Sequence, residues 1–151
     1  MDLLANQVFW TAVVANALAQ TLKLFVYYFL EGRFQWERFL ETGGMPSSHA
    51  ATVSALAVAV GLQEGFGSAL FAVAAVFALI VMYDATGIRR AAGLHAQLLN
   101  QLVQELQRVL ERGPAPEPLK ELLGHTYLEV LVGALLGVLV ALASYQLFPA
   151  A

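Results

Sequence analysis

"TYLEVLVGALLGVLVALASYQLF", residues 126–148, is apolar from end to end apart from one carboxylate, Glu129. At about 1.5 Å of rise per residue a helix over this run is ~34 Å long, enough to cross a hydrocarbon core of ~30 Å. The apolar residues are continuous rather than alternating, and Leu and Ala dominate, which argues for a helix and against a strand of a closed barrel. Val8 to Leu30 is the counterpart near the N-terminus, with Lys23 as its only charge. Two shorter runs, Pro46 to Leu62 and Ser68 to Tyr83, predict helices of about 24–26 Å. These either cross a thinned bilayer or form a sunken hairpin that turns at "QEGFG", residues 63–67.

The composition agrees with a bilayer as solvent. The chain is 59% hydrophobic and 13% charged, against roughly 45–50% and about 25% in soluble domains. The expected fold is all-α: a polytopic membrane helical bundle of about four transmembrane helices plus one cytoplasmic amphipathic helix, in a single domain over residues 1–151. The chain has no cysteine, so disulfides and thiolate chemistry are out of reach. A net charge of −3 gives no reason to expect nucleic acid. No basic segment precedes the first apolar run, which is therefore expected to stay as a span rather than be cleaved.

The amphipathic helix is read over Ile88 to Arg112. Leu94, Leu98, Leu102, Leu106 and Val109 recur at helical spacing, and Gln97, Gln101, Gln104, Glu105, Arg108 and Glu111 take the other side. A polar face rich in Gln and poor in cations leaves two partners open: another helix, or the membrane surface. The heptad-like spacing of Leu99, Leu102, Leu106 and Val109 suggests a homodimer. "GPAPEP", residues 113–118, ends the helix as a stiff linker.

The cations set a topology. Arg33 and Arg38 fall in the first loop; Arg89, Arg90, Arg108, Arg112 and Lys120 fall in the third; the tails and the 62–67 turn have none. The positive-inside rule then places both loops in the cytoplasm and both termini outside. The residues with chemical capacity gather on that same side.

In "GGMPSSH", residues 43–49, Pro at a helix start costs no hydrogen bond and Ser is a strong cap. The free N–H groups of such a start bind phosphate well, Gly43 and Gly44 allow close approach of the backbone, and His49 would face the bound group. The same residues also make an ordinary capped helix. In "GHTYLEV", residues 124–130, His125 and Glu129 are four apart and share a helix face. A carboxylate beside an imidazole fixes its tautomer, as a base or nucleophile needs; otherwise Glu129 snorkels at the edge of the span. "YDATGIRR", residues 83–90, supplies Arg89 and Arg90, whose forks suit phosphate oxygens or simply mark topology. Asp84 either orients an Arg or a His, or caps the next helix. Lys23 either snorkels or reaches into the phosphate site. His95 has no acid four residues on and reads as structural.

"GGMPSSH" resembles the Pro-Ser-Gly-His motif of the type 2 phosphatidic acid phosphatase superfamily, which also contains the vanadium haloperoxidases. "RR" followed by "HTYLE" resembles its Ser-Arg-x5-His-x3-Asp motif. Nearly the whole chain is similar to a divergent branch of small membrane proteins reading "GGMPSSH…YDA-GxRR…LGH". The resemblance implies that His125 is the nucleophile, that Glu129 orients it, and that His49 protonates the leaving oxygen and later activates water. It implies that Arg90, with Arg89, Ser47, Ser48, Gly44 and Lys23, holds phosphate, with Asp84 in support and neither metal nor cofactor. Three departures stand out. No Arg-Pro follows Lys23, Ser48 replaces the motif's glycine, and a helix and linker separate Arg90 from His125.

The expected activity is hydrolysis of a lipid phosphate or diphosphate through a phosphohistidine, at a cytoplasm-facing site in the cell membrane. The alternative is a non-catalytic lipid-phosphate binder or carrier. A third reading, zinc held by His49, His125, Glu129 and Asp84, is opposed by the adjacent arginines.

Overall fold

Each long apolar run forms one helix, and a polar side chain starts it. In the computed structural model, which describes residues 3–32, 43–110, 116–121 and 123–148, a short 3-10 turn (Leu3–Ala5) precedes five α-helices. These are α1 (Gln7–Glu31), α2 (Ser48–Glu64), α3 (Ala69–Thr86), α4 (Ile88–Leu110) and α5 (Tyr127–Leu147). Asn6, Ser47, Ser68 and Thr126 cap α1, α2, α3 and α5 by accepting from the N–H groups of Phe9, Ala50, Phe71 and Glu129. Pro46 therefore lies just outside α2 rather than in its first turn. Arg33, Arg38, Glu111, Arg112 and residues 113–115 of the linker lie outside the described residues.

The helix α2 is the centre of the bundle. Its Ala50, Ala51, Ala55 and Ala59 are buried almost completely, and α1, α3 and α5 all pack on it. Small residues there let neighbouring backbones close in. On the α5 side, a Cβ on Gly133 would run into the Ser47 carbonyl, and one on Gly137 into the Ala51 carbonyl. This Gly-x-x-x-Gly contact matters because lipid tails are as apolar as leucine, so helices in a bilayer associate by close packing rather than by the hydrophobic effect. The outer faces carry the large residues: Val73, Phe77 and Ile80 on α3, and Leu131, Leu135 and Leu139 on α5, are all exposed. A helical membrane bundle results. Among the described residues three stretches are long and apolar enough to cross a membrane: Gln7–Phe29, Ala69–Val109 (running through α3 into α4) and Tyr127–Leu147.

Polar ties fix the register at the end away from the motifs. Gln7 Nε2 donates to the Phe148 carbonyl at 2.7 Å, and the Thr11 and Ser144 hydroxyls meet at 2.9 Å. The Tyr145 hydroxyl reaches the Ala59 carbonyl at 3.0 Å and Gln63 Oε1 at 3.2 Å. The last turn of α2 is thus level with the last turn of α5. The helices α2 and α3 run the length of the bundle and do not turn back halfway, although α2 has only 17 residues.

The amphipathic α4 leaves the bundle and touches α3. A strap, residues 116–121, runs back along it. The buried Asn100 ties the strap down: its Oδ1 accepts from the Leu119 N–H at 2.9 Å, and its Nδ2 donates to the Leu119 carbonyl at 2.9 Å and to Glu121 at 2.7 Å. Leu94, Leu98, Leu102, Leu106 and Val109 stay exposed.

Candidate active site

Four segments that are distant in sequence meet at one end of the bundle: α1 around Lys23, residues 43–49, the α3–α4 junction, and residues 124–129. Backbone contacts lock them together. The Ser47 N–H donates to the Glu129 carbonyl at 3.0 Å and the His125 N–H to the Ala85 carbonyl at 2.9 Å. Gly124, at φ 81°, lies against the backbone of Arg90, where a Cβ would collide. The result sets the His49 and His125 rings 6.1 Å apart between centroids, inclined at 61°.

The His125 side chain is 1% exposed and its Nδ1 lies 3.1 Å from Glu129 Oε2. The same Oε2 accepts the Thr126 N–H at 3.1 Å, while the Thr126 hydroxyl accepts the Glu129 N–H at 3.3 Å. This is a capping box, and it holds the carboxylate at the positive end of the α5 dipole. Glu129 therefore points inward at the histidine and does not snorkel. A carboxylate only accepts, so in neutral His125 the hydrogen sits on Nδ1 and Nε2 keeps its lone pair. That Nε2 is buried and has no hydrogen-bond partner among the described residues. Burial pushes the imidazole below its usual range, while the hydrogen bond and charge of Glu129 pull it back up. Lys23 adds to the downward push, and the Gly44 backbone assists Glu129 without a well-formed bond to Nε2.

His49 stands in the first turn of α2. Lys23, Arg89, His125 and Asp84 all lie within electrostatic reach of its ring. Lys23 is fully buried, which excludes snorkelling and puts its charge inside the site. Asp84 Oδ2 accepts from Arg89 Nε at 2.6 Å, so Asp84 orients an arginine. Arg89 lies within electrostatic reach of His49; both arginines are exposed, and the Arg90 backbone serves as the seat for Gly124. Ser47 is buried and its N–H is committed to Glu129. The first-turn donors that helix geometry leaves for an anion are the N–H groups of Ser48 and His49. Gly44, at φ 91°, lies against the Tyr27 ring, where a Cβ would strike the hydroxyl.

Several contributors were not singled out from the sequence. Thr126 had a legible signal, the Thr-x-x-Glu of a capping box, and Gly133 and Gly137 had one in their four-residue spacing. Tyr27 and the Ala85 carbonyl had none. Among the described residues no three His, Asp or Glu side chains gather as a metal would require, and Asp84 is turned toward Arg89, so the zinc reading finds no donor set.

A family model described as the divergent PAP2 family matches residues 4–140. YuiD of Bacillus subtilis (strain 168), described as an uncharacterized membrane protein, is 40% identical over 157 residues, covering 98% of this chain and 99% of its own. No solved structure matches. With a match over nearly its whole length and the motif residues gathered at one end of a helical membrane bundle, the chain belongs to the divergent PAP2 family.

Proposed function

We propose that the protein hydrolyses a phosphate monoester or diphosphate on a membrane lipid, with His125 as nucleophile. The observation that carries this reading is the state of His125 Nε2: buried, without a hydrogen-bond partner among the described residues, and presented by a carboxylate-bound ring 6.1 Å from a second histidine. In the first step the Nε2 lone pair attacks phosphorus, a P–N bond forms and the P–O bond to the lipid breaks. The leaving oxygen takes a proton from the His49 imidazolium. In the second step neutral His49 takes a proton from water, the water oxygen attacks phosphorus, the P–N bond breaks and inorganic phosphate leaves. Glu129 stabilises the positive charge that grows on the His125 ring. Lys23, Arg89 and the first-turn N–H groups of α2 hold the phosphoryl oxygens. Such electrostatic stabilisation is commonly the largest catalytic contribution, with one donor worth about 3–4 kcal/mol.

By the positive-inside rule the site faces the cytoplasm, where lipid phosphates are made on the inner leaflet. The Asp84–Arg89 pair favours a second reading, a lipid-phosphate carrier, because it already occupies one of the few cations of the clamp. Phosphate release from a panel of lipid phosphates, with His125→Ala as control, separates the two. Turnover and an acid-labile phosphoenzyme in the wild type, both lost in His125→Ala, support hydrolysis. Saturable binding with no release supports the carrier.

A further inference from the structure

The helix α4 has two apolar faces, and the strap covers one of them. Among its described residues Gly93, Ala96 and Asn100 are buried. A Cβ on Gly93 would strike the backbone carbonyls of Glu121 and Leu123, and Asn100 is bonded to Leu119 and Glu121. The neighbouring face is bare. Leu99, Leu102, Leu106 and Val109 are between 50% and 78% exposed. The row continues backward through His95 and Ala92 to Ile88, all of them exposed. Its steps alternate between four and three residues without a break, the a/d seam of a helix that pairs with another helix.

Charge says what covers the seam. Between Arg90 and Arg108 the helix has no Lys or Arg and one acid, Glu105. A helix that lies on anionic headgroups carries cations beside its apolar face, and Arg89 at the root of α4 is already paired with Asp84. An uncharged seam meets its own copy with no like-charge penalty. The strap holds α4 in shape beforehand, so pairing costs little further ordering. The seam is ~32 Å long and, at a helix width of about 10–12 Å, has a footprint of ~350 Å². That is under half of the ~800 Å² per partner of a stable interface in solution. Copies inserted with one topology share a plane and an orientation, and the higher effective concentration offsets the shortfall. Such copies are related by a two-fold axis along the membrane normal, so the contact is isologous.

We propose that α4 is a dimerisation helix: two copies of this chain in one membrane pair along the seam from Ile88 to Val109. His95 is the one polar residue in that row, and a single polar side chain in a seam sets register at a cost in stability. The pairing does not rest on the phosphate-site reading.

The test uses the full chain, which has no cysteine of its own, in liposomes of phosphatidylcholine and phosphatidylglycerol at low protein density. A dye on Glu64→Cys, outside the seam, should bleach in two steps per particle. Spin labels on Leu99→Cys, Leu102→Cys and Leu106→Cys should be immobilised, and at least one should couple to its counterpart in the other copy. Labels on Gln97→Cys and Gln101→Cys should be mobile and uncoupled. Adding Leu102→Glu and Leu106→Glu should give one-step bleaching with an unchanged thermal midpoint, since both leucines are exposed in the single chain. His95→Leu should tighten the pair about tenfold or more, the effect of one further buried apolar side chain. One-step bleaching of Glu64→Cys alone overturns the proposal. So do seam labels that collide with membrane-dissolved oxygen and show no coupling, which would lay α4 on the bilayer. Two-step bleaching that survives both glutamates overturns it as well. If the glutamate variant does not fold, the labels on the single cysteines decide.

Discussion

Glu129 has two tasks, capping α5 and orienting His125, and a conservative change separates them. Glutamine also serves in a capping box, so Glu129→Gln should move the thermal midpoint little. It removes the charge that favours a developing imidazolium, and kcat should fall about 100-fold or more while KM changes much less. Equal losses in stability and activity would mean that the carboxylate is only a cap. The burial of His125 has its own pH signature. Its imidazole is harder to protonate folded than unfolded, so the unfolded chain binds more protons between the lowered folded value and the ordinary one near 6.5. Stability should therefore rise with pH across that window and be lost as pH falls through it. Melting curves from pH 5 to 7.5 should show a steeper rise for the wild type than for His125→Asn; parallel curves would contradict it. The His125–Glu129 pair was legible because four-residue spacing fixes a shared face. The burial of Lys23 was not, because spacing alone does not say which face of α1 meets the bundle. That Arg89 comes within reach of His49 was not legible either, because no periodicity encodes the path of the chain through Gly87 between α3 and α4.

At the scale of elements, the close contact of α5 with α2 brings the two histidines together. An alanine normally helps a helix by about 1 kcal/mol relative to glycine. At Gly133 the added Cβ meets the Ser47 carbonyl, so the sign should reverse. Gly133→Ala should destabilise by about 1–3 kcal/mol and, by pushing Ser47 away from Glu129, should lower turnover as well. Leu135→Ala, on the exposed face, should leave both nearly unchanged. A Gly133→Ala protein as stable as the wild type would show that the contact is loose. The helices themselves were legible, since each apolar run became one helix within a few residues. The central place of α2 was not: its run is the plainest in the chain, and its small residues matter only through what packs on them.

At the scale of the whole molecule, the motif residues gather at one end of the bundle and the polar ties at the other, and the positive-inside rule predicts that the motif end faces the cytoplasm. Cysteines at Arg38 and Lys120 should be shielded from an impermeant reagent in intact cells, and one at Glu64 should react. Labelling of the Lys120 position from outside would invert the orientation. The fold class followed from composition and run length, which sense the solvent. The neighbour relations came only with the structure, because they depend on which small residues face each other across the bundle.

The seating of Gly124 on the Arg90 backbone carries one more consequence. The chain leaves the site at Arg90, travels out along α4, returns by the strap that Asn100 fastens, and re-enters beside its point of departure. Its two roots touch, so the geometry of the candidate site is set locally and does not depend on how long the detour between them is. The stretch between Arg90 and His125 is thus an appendage inserted at one point of the bundle, and shortening it should leave the distance across the site unchanged.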